Sequence, residues 1–405
     1  MYFERALDAI GHFEDAHEAA LAGLETRMGL YVALGATCQL DQALVVIEDA
    51  RRLAAWVGDT IQVARIDVYA CMLLMSLGSL DRAVAADQRG AAAAIGHAPS
   101  TLNLAYGLGQ AFWFQGRFVD AASTLSRSLP SIRGPMRLAS TGTIGTISVL
   151  TLVALSKTHA MLGEFDLAMA LADEVRAIAA ETQRPYDVAY ASVAYGFAHM
   201  MQGEHGEAVA VMEEGLLVAR RAGILLLLPS IARYLGRAHA AVGQAGKAHA
   251  LLGEALVLTR GQRLTGLTAW CSAALGHAHL NGDLDQAETA LQEALAMATS
   301  HGYVPVQMQT LRALGELRLR AGDAAAAEVM LRQAVKLAEG MGMRPDLASA
   351  RLLLASTLRK LGRAAEASAE DDAVAALDLA LHPSQVKRSG INEPALLMTR
   401  TEHSR

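Results

Sequence analysis

The chain has 405 residues, a formal net charge of −6 and a pI near 6.1, which argues against nucleic acid as its main partner. Hydrophobic residues make up 53% of it but aromatic residues only 5%, and 9 prolines leave room for long uninterrupted helices. This alanine- and leucine-rich composition predicts an all-α protein. A single compact core would be unusual at this length, so an elongated architecture is favoured.

The amino terminus differs from a secretory signal. MYFERALDAI carries Glu4 and Asp8, where a signal peptide would be basic and then apolar. We therefore expect a cytoplasmic protein. Two weak copies of a repeated phrase follow: GHFEDA from Gly11 and CQLDQA from Cys38, where cysteine replaces the usual glycine.

From Gly78 onward, a glycine followed five residues later by alanine recurs along the chain. The copies begin at Gly78, Gly116, Gly163, Gly203, Gly243, Gly282, Gly322 and Gly362, mostly 39 or 40 residues apart. A period of this length is typical of a solenoid. We predict about ten units, each a pair of helices, because one helix alone cannot bury its apolar stripe.

The last full units indicate how one pair is built. TLRALGELRLRAG (310–322) and VMLRQAVKLAEG (329–340) both place leucines at helical spacing. Between them, Gly322 permits the positive backbone angle that ends the first helix, and Asp323 is suited to cap the second. The alanine five residues after each glycine is predicted to lie where the two helices cross closely.

One segment raises the question of a membrane span. LASTGTIGTISVLTLVALS (138–156) carries no charge and lies in the longest interval of the array. Its threonines, serines and glycines dilute its apolar character, whereas a span needs about 20 mainly apolar residues. A buried helix after a Gly/Ser/Thr loop is the favoured interpretation, and no membrane partner is expected.

The histidines offer little support for a metal site. His277 and His279 are two apart on a helix and therefore point to different faces, while His239 and His249 fall in the preceding unit. No H-E-x-x-H, G-x-S-x-G or Cys-x-x-C motif occurs, and AVGQAGKAHA (241–250) lacks the glycine and the Ser/Thr of a phosphate-binding loop. We expect no metal, no cofactor and no enzymatic activity.

The cysteines and the carboxy terminus are the remaining features. Cys38, Cys71 and Cys271 are isolated on apolar helix faces, which predicts buried thiols. The sequence divides into a helical array over residues 1–380 and a polar, basic tail over residues 381–405, whose two prolines and lack of helical period predict disorder.

The repeating unit resembles the tetratricopeptide repeat. That family has a small residue on the first helix, glycine seven later, alanine five after that, then a bulky and a small residue. Two units match all five positions: Gly236, Gly243, Ala248, Leu252 and Ala255, and Gly315, Gly322, Ala327, Leu331 and Ala334. GHAHLNG departs by one, because Gly276 is six residues before Gly282. The resemblance implies a right-handed α-solenoid with a period near 40, longer than the usual 34 residues.

A second resemblance covers roughly residues 30 to 380. Two segments are similar to the carboxy-terminal helical region of bacterial class III adenylate/guanylate cyclase–AAA ATPase signalling proteins. They are RPYDVAYASVAYGFAHMMQGEHGEAVAVMEEGLLVARRAGI and GMRPDLASARLLLASTLRKLGRAAEA. The likeness implies a regulatory role beside a cyclase or ATPase module in cis or in trans. It carries over no catalytic residue, because neither module occurs in these 405 residues.

The repeat family also implies which residues face the concave surface. The inward positions are occupied by Tyr106, Gln110, Lys157, Tyr190, Arg233, Arg237, Gln309, Arg312 and Arg359, together with Trp113, Phe197 and Ser356. Long polar side chains here suggest a groove that grips a peptide backbone or a carboxylate. Two other interpretations remain open: ordinary solvated positions, and, for Trp113, Phe114 and Tyr190, packing in the core.

Two classes of function follow from these features. The first is a non-catalytic scaffold in bacterial signal transduction that binds a protein or peptide partner on its concave surface. The alternative is the effector-sensing arm of a cyclase or ATPase-type transcription regulator. The carboxy terminus has no basic recognition helix, so direct contact with DNA is not expected.

Overall fold

The computed structural model describes residues 2–36, 39–139, 141, 145–225 and 227–381, and all regular structure in these ranges is helical. The helices of the first half are α1 (Tyr2–Ile10), α2 (Ala16–Ala36), α3 (Leu40–Trp56), α4 (Thr60–Ser76), α5 (Leu80–Ala93), α6 (Ala98–Phe114), α7 (Phe118–Ser126), α8 (Leu129–Ile132), α9 (Ile147–Leu162) and α10 (Phe165–Thr182). Those of the second half are α11 (Pro185–Met201), α12 (His205–Arg221), α13 (Leu228–Ala241), α14 (Ala245–Gly261), α15 (Thr265–His279), α16 (Leu284–His301), α17 (Val304–Arg320), α18 (Ala324–Met341), α19 (Arg344–Lys360) and α20 (Ala364–Leu381).

These helices form the predicted all-α array of pairs. The pairs are α2/α3, α4/α5, α6/α7, α9/α10, α11/α12, α13/α14, α15/α16, α17/α18 and α19/α20. The first helices of neighbouring pairs also contact one another, as α11 does with α13 and α13 with α15, so they form an inner layer. The copy at Gly11 is not a pair of its own, because α2 belongs with α3.

The small residues of the repeat lie where the sequence places them, at the crossing of each pair. A Cβ atom added to Gly236 would lie 2.6 Å from Cγ of Leu252, and one added to Gly315 would lie 2.6 Å from Cγ of Leu331. Ala287 is 0% exposed at the equivalent crossing of α15 and α16. The prediction of a close helix–helix contact is therefore confirmed.

The turn between helices is confirmed in most copies and differs in one. Gly322 has φ of 86°, and the Asp323 carboxylate accepts a hydrogen bond of 3.0 Å from the backbone N–H of Ala326, capping α18. Gly282, by contrast, is absent from the residues with positive φ, because α15 already ends at His279. This is the copy whose spacing departs by one residue.

The uncharged segment before Lys157 is a buried helix, as the favoured interpretation predicted. All but two of the 16 residues of α9 are buried, and the helix packs on α7, α10 and α11. Within the described ranges, no helix has the length and apolar character that crossing a bilayer requires. The Ser/Thr-rich loop before α9 includes residues 140 and 142–144, which lie outside the described residues.

The second half of the array lies against the first. Arg263, after α14, forms an ion pair of 2.8 Å with Asp41 of α3, 222 residues away in the chain. Arg344 of α19 donates from Nε to the carbonyl oxygen of Leu162 and lies 3.6 Å from Glu164. Repeats that are far apart in the chain are therefore in contact, because the superhelix turns tightly enough for its successive turns to touch.

Two of the three cysteines can be placed. Cys71 and Cys271 are buried free thiols, as predicted. Burial raises the pKa of the Cys271 thiol to about 12, so it stays protonated and unreactive at neutral pH. Cys38 and residues 382–405 of the predicted tail (381–405) lie outside the described residues, and Leu381 is the last residue of α20.

Candidate functional site: a cationic central channel

The inner helices share one inward-facing register. The residue that follows the small residue of the first helix is Gln110 in α6, Lys157 in α9, Phe197 in α11, Arg237 in α13, His277 in α15 and Glu316 in α17. Glu316 pairs with Arg320 of its own helix over 2.6 Å. Because equivalent residues of stacked repeats line one surface, these side chains point toward a common axis. The space that they enclose is called the central channel below.

Two cations are buried in the central channel. Lys157 and Arg233 are each 4% exposed. The Nζ atom of Lys157 lies 4.6 Å from the centre of the Trp113 ring, and Cζ of Arg233 lies 4.3 Å from that of Tyr234 and 5.0 Å from that of Trp270. Both cations therefore rest on aromatic faces.

Aromatic side chains meet across the channel at this level. The rings of Trp113 from α6 and Trp270 from α15 have centroids 5.5 Å apart, and Phe114 lies 5.7 Å from Tyr303, which immediately precedes α17. Helices that are far apart in the chain thus touch through their inward residues. The channel is closed here by side chains rather than open along its length.

A small cleft lies beside this closure. Its free space is about 290 Å³ when the open solvent at its mouth is counted, of which about 20 Å³ can hold the centres of water-sized molecules. Its lining residues are Arg237, Trp270, Ala273, Ala274, His277, Gln309 and Arg312. Arg237 donates from Nη1 to Oε1 of Gln309 over 3.0 Å, and Nε2 of Gln309 lies 3.3 Å from Oδ1 of Asp346. Helices α13, α15, α17 and α19 thus contribute to one polar cluster.

Many polar side-chain atoms in the central channel have no hydrogen-bond partner among the described residues. They are Nε and Nη1 of Arg233, Nε of Arg312, Nε1 of Trp113 and of Trp270, Nδ1 of His277, and Oδ2 of Asp346. Buried polar groups are nearly always hydrogen-bonded in folded proteins. A concentration of unpaired donors in one channel therefore suggests that a ligand or ordered water completes their bonding.

The inner cation cluster consists of Lys157, Arg233, Arg237 and Arg312. None of the four forms a salt bridge with a described carboxylate, although Asp346 is close enough to interact electrostatically with Arg237 and Arg312. On the outer layer, in contrast, Arg220 pairs with Glu254 and Arg260 pairs with Glu293, bridging neighbouring repeats. Unpaired positive charge is thus a feature of the channel.

Burial and like charge shift the ionisation of groups in the channel. Desolvation, followed by the charge of Arg233, holds the pKa of Lys157 well below its usual value. Desolvation, followed by the charges of Arg312 and Arg237, lowers the pKa of His277 to about 3. His277 is therefore neutral at physiological pH and adds no charge to the inner cation cluster.

A second group of predicted residues lies away from the cations. Gln110 donates from Nε2 to the hydroxyl of Tyr106 over 2.9 Å, and Tyr190 has its ring 5.6 Å from that of Tyr186. Burial raises the pKa of Tyr190 well above its usual value, so its hydroxyl stays protonated. This tyrosine cluster forms a second polar patch among α6 and α11.

The structure brings most of the predicted concave residues inward, but Arg359 is an exception. Arg359 has a side chain that is 54% exposed, and it pairs with Asp371 of α20 within its own repeat. The solvated interpretation does not hold for Lys157, Tyr190, Arg233 and Gln309, which are all buried. That these residues bind a partner remains a prediction.

The sequence analysis did not predict three residues that lie in or beside the cleft: Trp270, His277 and Asp346. The first two were identifiable, because His277 has the register of Arg237, and Trp270, six residues before Gly276, has the register of Gln309 relative to Gly315. The departing glycine spacing in GHAHLNG obscured that register. Asp346 lies in the first turn of α19, nine residues before Ala355, and Asp187 in the first turn of α11 holds the same position before Gly196.

The histidines weighed as metal ligands are arranged differently. The rings of His249 and His279 stack with centroids 4.0 Å apart, while His277 points into the channel. Among the described residues, no three or more metal-ligating side chains converge on one point.

Comparisons with known proteins give the fold but no family. No protein-family model and no curated protein sequence matches this chain. The structure is similar to that of a Rap protein complexed with competence and sporulation factor, with a TM-score of 0.64, 12% identity, and 89% of this chain and 98% of that chain covered. It is also similar to the apo form of the quorum sensor NprR from B. thuringiensis, with a TM-score of 0.50, 16% identity, and 90% and 99% covered.

A third similar structure is a Signal Transduction ATPase with Numerous Domains protein with a tetratricopeptide repeat sensor, from Pyrococcus horikoshii. Its TM-score is 0.49 at 11% identity, with 93% of this chain and 54% of that chain covered. The likenesses to the Rap protein and to NprR establish an all-α helical-repeat fold. The resemblance of the sequence to cyclase–ATPase signalling proteins remains a prediction.

Proposed function

We propose that this protein is a non-catalytic interaction scaffold that holds a segment of a protein or peptide partner in its central channel. The observation that carries the proposal is the set of buried donors without partners on Arg233, Trp270 and Arg312. Trp270 and Arg312 line one cleft, and Arg233 lies on the Trp270 ring. A peptide supplies carbonyl oxygens along its whole length, and those oxygens are the acceptors that such donors lack.

The similar structures support this proposal by analogy of fold. The Rap protein is complexed with competence and sporulation factor, and NprR is a quorum sensor. Fold alone does not fix function, so the proposal depends on the chemistry of the channel. Peptide entry requires the contact between Trp113 and Trp270 to open, which a solenoid allows through small changes at each repeat interface.

The test is selection of binding peptides from a random library displayed on phage. Selected peptides should lose roughly tenfold or more affinity for the Arg233→Ala/Arg312→Ala variant, because each lost charge-assisted bond contributes about 1.5–3 kcal/mol. The matched control is Arg220→Ala/Arg260→Ala, which removes two outer-layer arginines. Some selected peptides could bind the two variants equally, or bind Arg233→Ala/Arg312→Ala but not Arg220→Ala/Arg260→Ala. Either result would show that binding occurs outside the channel.

A regulatory connection to a cyclase or ATPase module is the second part of the proposal. It rests on the sequence resemblance over residues 30 to 380, and it makes the array a sensor arm in cis or a subunit in trans. An antibody raised against the array distinguishes the two by immunoblot of the source cells. A band near 42.7 kDa indicates a separate subunit, and a much heavier band indicates an array fused to its module.

A further inference from the structure

We infer that the cleft beside the inner cation cluster is a binding site for a small oxyanion, a carboxylate or a phosphate, held by Arg237 and Arg312 against the indole of Trp270. This inference deepens the proposed function, since it rests on the central channel being a binding site. It does not require the ligand to be a peptide.

The first step is the charge balance of the cluster. Arg233, Arg237 and Arg312 are permanently charged, and Asp346 interacts electrostatically with the latter two. Moving a charge out of water is unfavourable even after the protein relaxes around it. A cation–π contact is weaker than this desolvation penalty. The aromatic neighbours of Arg233 therefore offset only part of the cost, and an anion would offset much more.

The second step is the position of the unpaired donors. Arg237, Trp270, His277 and Arg312 all line the cleft. Nε of Arg312, Nε1 of Trp270 and Nδ1 of His277 are buried without hydrogen-bond partners among the described residues. The Trp270 and His277 atoms come from α15 and the Arg312 atom comes from α17. Guanidinium groups match the paired oxygens of carboxylates and phosphates, which makes such anions the best-fitting ligands.

The third step is size. The enclosed part of the cleft leaves about 20 Å³ for the centres of water-sized molecules. On this measure one water needs about 10–15 Å³, so the enclosed space takes one or two waters. A single carboxylate or phosphoryl group therefore enters the cleft, while the rest of its molecule lies at the open mouth.

Occupancy of this cleft would also connect distant repeats. Arg237 belongs to α13, Trp270 to α15 and Arg312 to α17, while Trp270 itself touches Trp113 of α6. An anion that draws the two arginines together would pull the inner ends of three successive repeats toward one another. Binding should therefore stabilise the whole array rather than one pair of helices.

The experiment measures thermal unfolding of the full chain in sodium phosphate, in sodium succinate and in sodium chloride at equal ionic strength. We expect phosphate, succinate or both to raise Tm above the chloride value. If only phosphate acts, the ligand carries a phosphate group; if succinate acts, it carries a carboxylate. A Tm that is the same in all three salts would overturn the inference.

Variants locate the effect within the molecule. Arg312→Met removes an unpaired charge, so the free variant should melt no lower than the wild type but should lose the response to the anion, with at least a tenfold weaker apparent affinity. Arg237→Met provides the same test if Arg312→Met does not fold. Arg260→Met, on the outer layer, should respond as the wild type does. An undiminished response of both inner variants would contradict the assignment.

Fluorescence gives a second readout at the site. In a Trp56→Phe background, the remaining indoles are Trp113 and Trp270, which lie at the cluster, and their emission should change with the anion. Failure of this inference is distinguishable from failure of the proposed function. If library peptides require Arg233 and Arg312 for binding but no anion raises Tm, the proposed scaffold function stands and the anion site does not. If an anion raises Tm but no library peptide binds, the anion site stands and the scaffold function does not.

Discussion

Asp87 is a buried carboxyl group with an unusual environment. Its neighbour Asp67 is held by Arg51 and Arg89 at 2.9 and 3.2 Å, whereas Oδ1 of Asp87 has no hydrogen-bond partner among the described residues. Burial, followed by the negative charge of Asp67, raises the pKa of Asp87 to about 8. Asp87 is therefore mainly protonated in the folded protein at neutral pH.

We expect Asp87→Asn to change how stability depends on pH. The pKa of Asp87 is about 3.9 when the chain is unfolded and about 8 when it is folded, so its proton stabilises the fold fully below the lower value. That contribution is lost progressively as pH rises to the folded pKa. The variant should match the wild type near pH 4 and exceed its free energy of unfolding by up to about 5 kcal/mol near pH 9, since each unit of pKa difference contributes about 1.4 kcal/mol.

Urea unfolding at the two pH values measures this difference. Asp166→Asn is a suitable control, because Asp166 is exposed at the start of α10 and should leave the pH profile unchanged. A profile for Asp87→Asn parallel to that of the wild type would show that Asp87 is ionised in the folded protein.

At the scale of elements, each pair of helices depends on its crossing point. Ala287 on α16 is 0% exposed, and its carbonyl oxygen lies 3.1 Å from the position that a Cβ of Gly276 would take.

The turns between paired helices are stabilised by side-chain hydrogen bonds of two kinds. Asp283 and Asp323 cap the second helix with their own carboxylates, whereas His199 of one helix reaches Glu204 before the next over 2.6 Å.

Ala287→Leu should overpack this crossing. A larger side chain has no free space beside Gly276 and must push α15 and α16 apart, which costs typically 1–3 kcal/mol. Chemical denaturation measures the change in the free energy of unfolding. Ala296→Leu, on the exposed face of the same helix, should change it by less than about 0.5 kcal/mol. Equal stability of the two variants would mean that the crossing yields without cost.

At the scale of the whole molecule, contacts between successive turns keep the superhelix closed. Tyr303 is buried against Phe114 of α6. Its hydroxyl packs closely on Gly78, because a Cβ added to Gly78 would lie 2.8 Å from the Tyr303 hydroxyl oxygen. Arg344 joins α19 to the end of α9. These contacts link residues far apart in the chain, so they add to a stability that otherwise comes from neighbouring repeats.

Tyr303→Ala combined with Arg344→Ala should loosen this closure. We expect an unchanged helical signal in circular dichroism and a larger radius of gyration in small-angle X-ray scattering, with a loss of about 3–5 kcal/mol for the buried aromatic side chain alone. Arg332→Ala removes an outer-layer ion pair and should leave the scattering as it is. Identical curves for all three proteins would mean that the turns are held together elsewhere.

The sequence by itself determined the helices, their pairing and the residues at each crossing. Glycine, alanine and leucine recur at fixed spacing because each repeat must end one helix, begin another and let the two approach closely, and all three requirements are local. Gly236, Gly315 and Ala287 therefore lie where the pattern predicted. The inward register was also readable, since His277 and Arg237 hold equivalent positions in their repeats.

Only the tertiary structure decided what the inner face encloses. Small rotations at each repeat interface accumulate along a solenoid, and no short pattern records their sum. That sum places Trp113 against Trp270, buries Lys157 and Arg233, and brings Asp346 beside Gln309, while it leaves Arg359 in its own repeat. The predicted open groove is thus a narrow channel closed by aromatic rings, because contacts between successive turns depend on the curvature of the whole array.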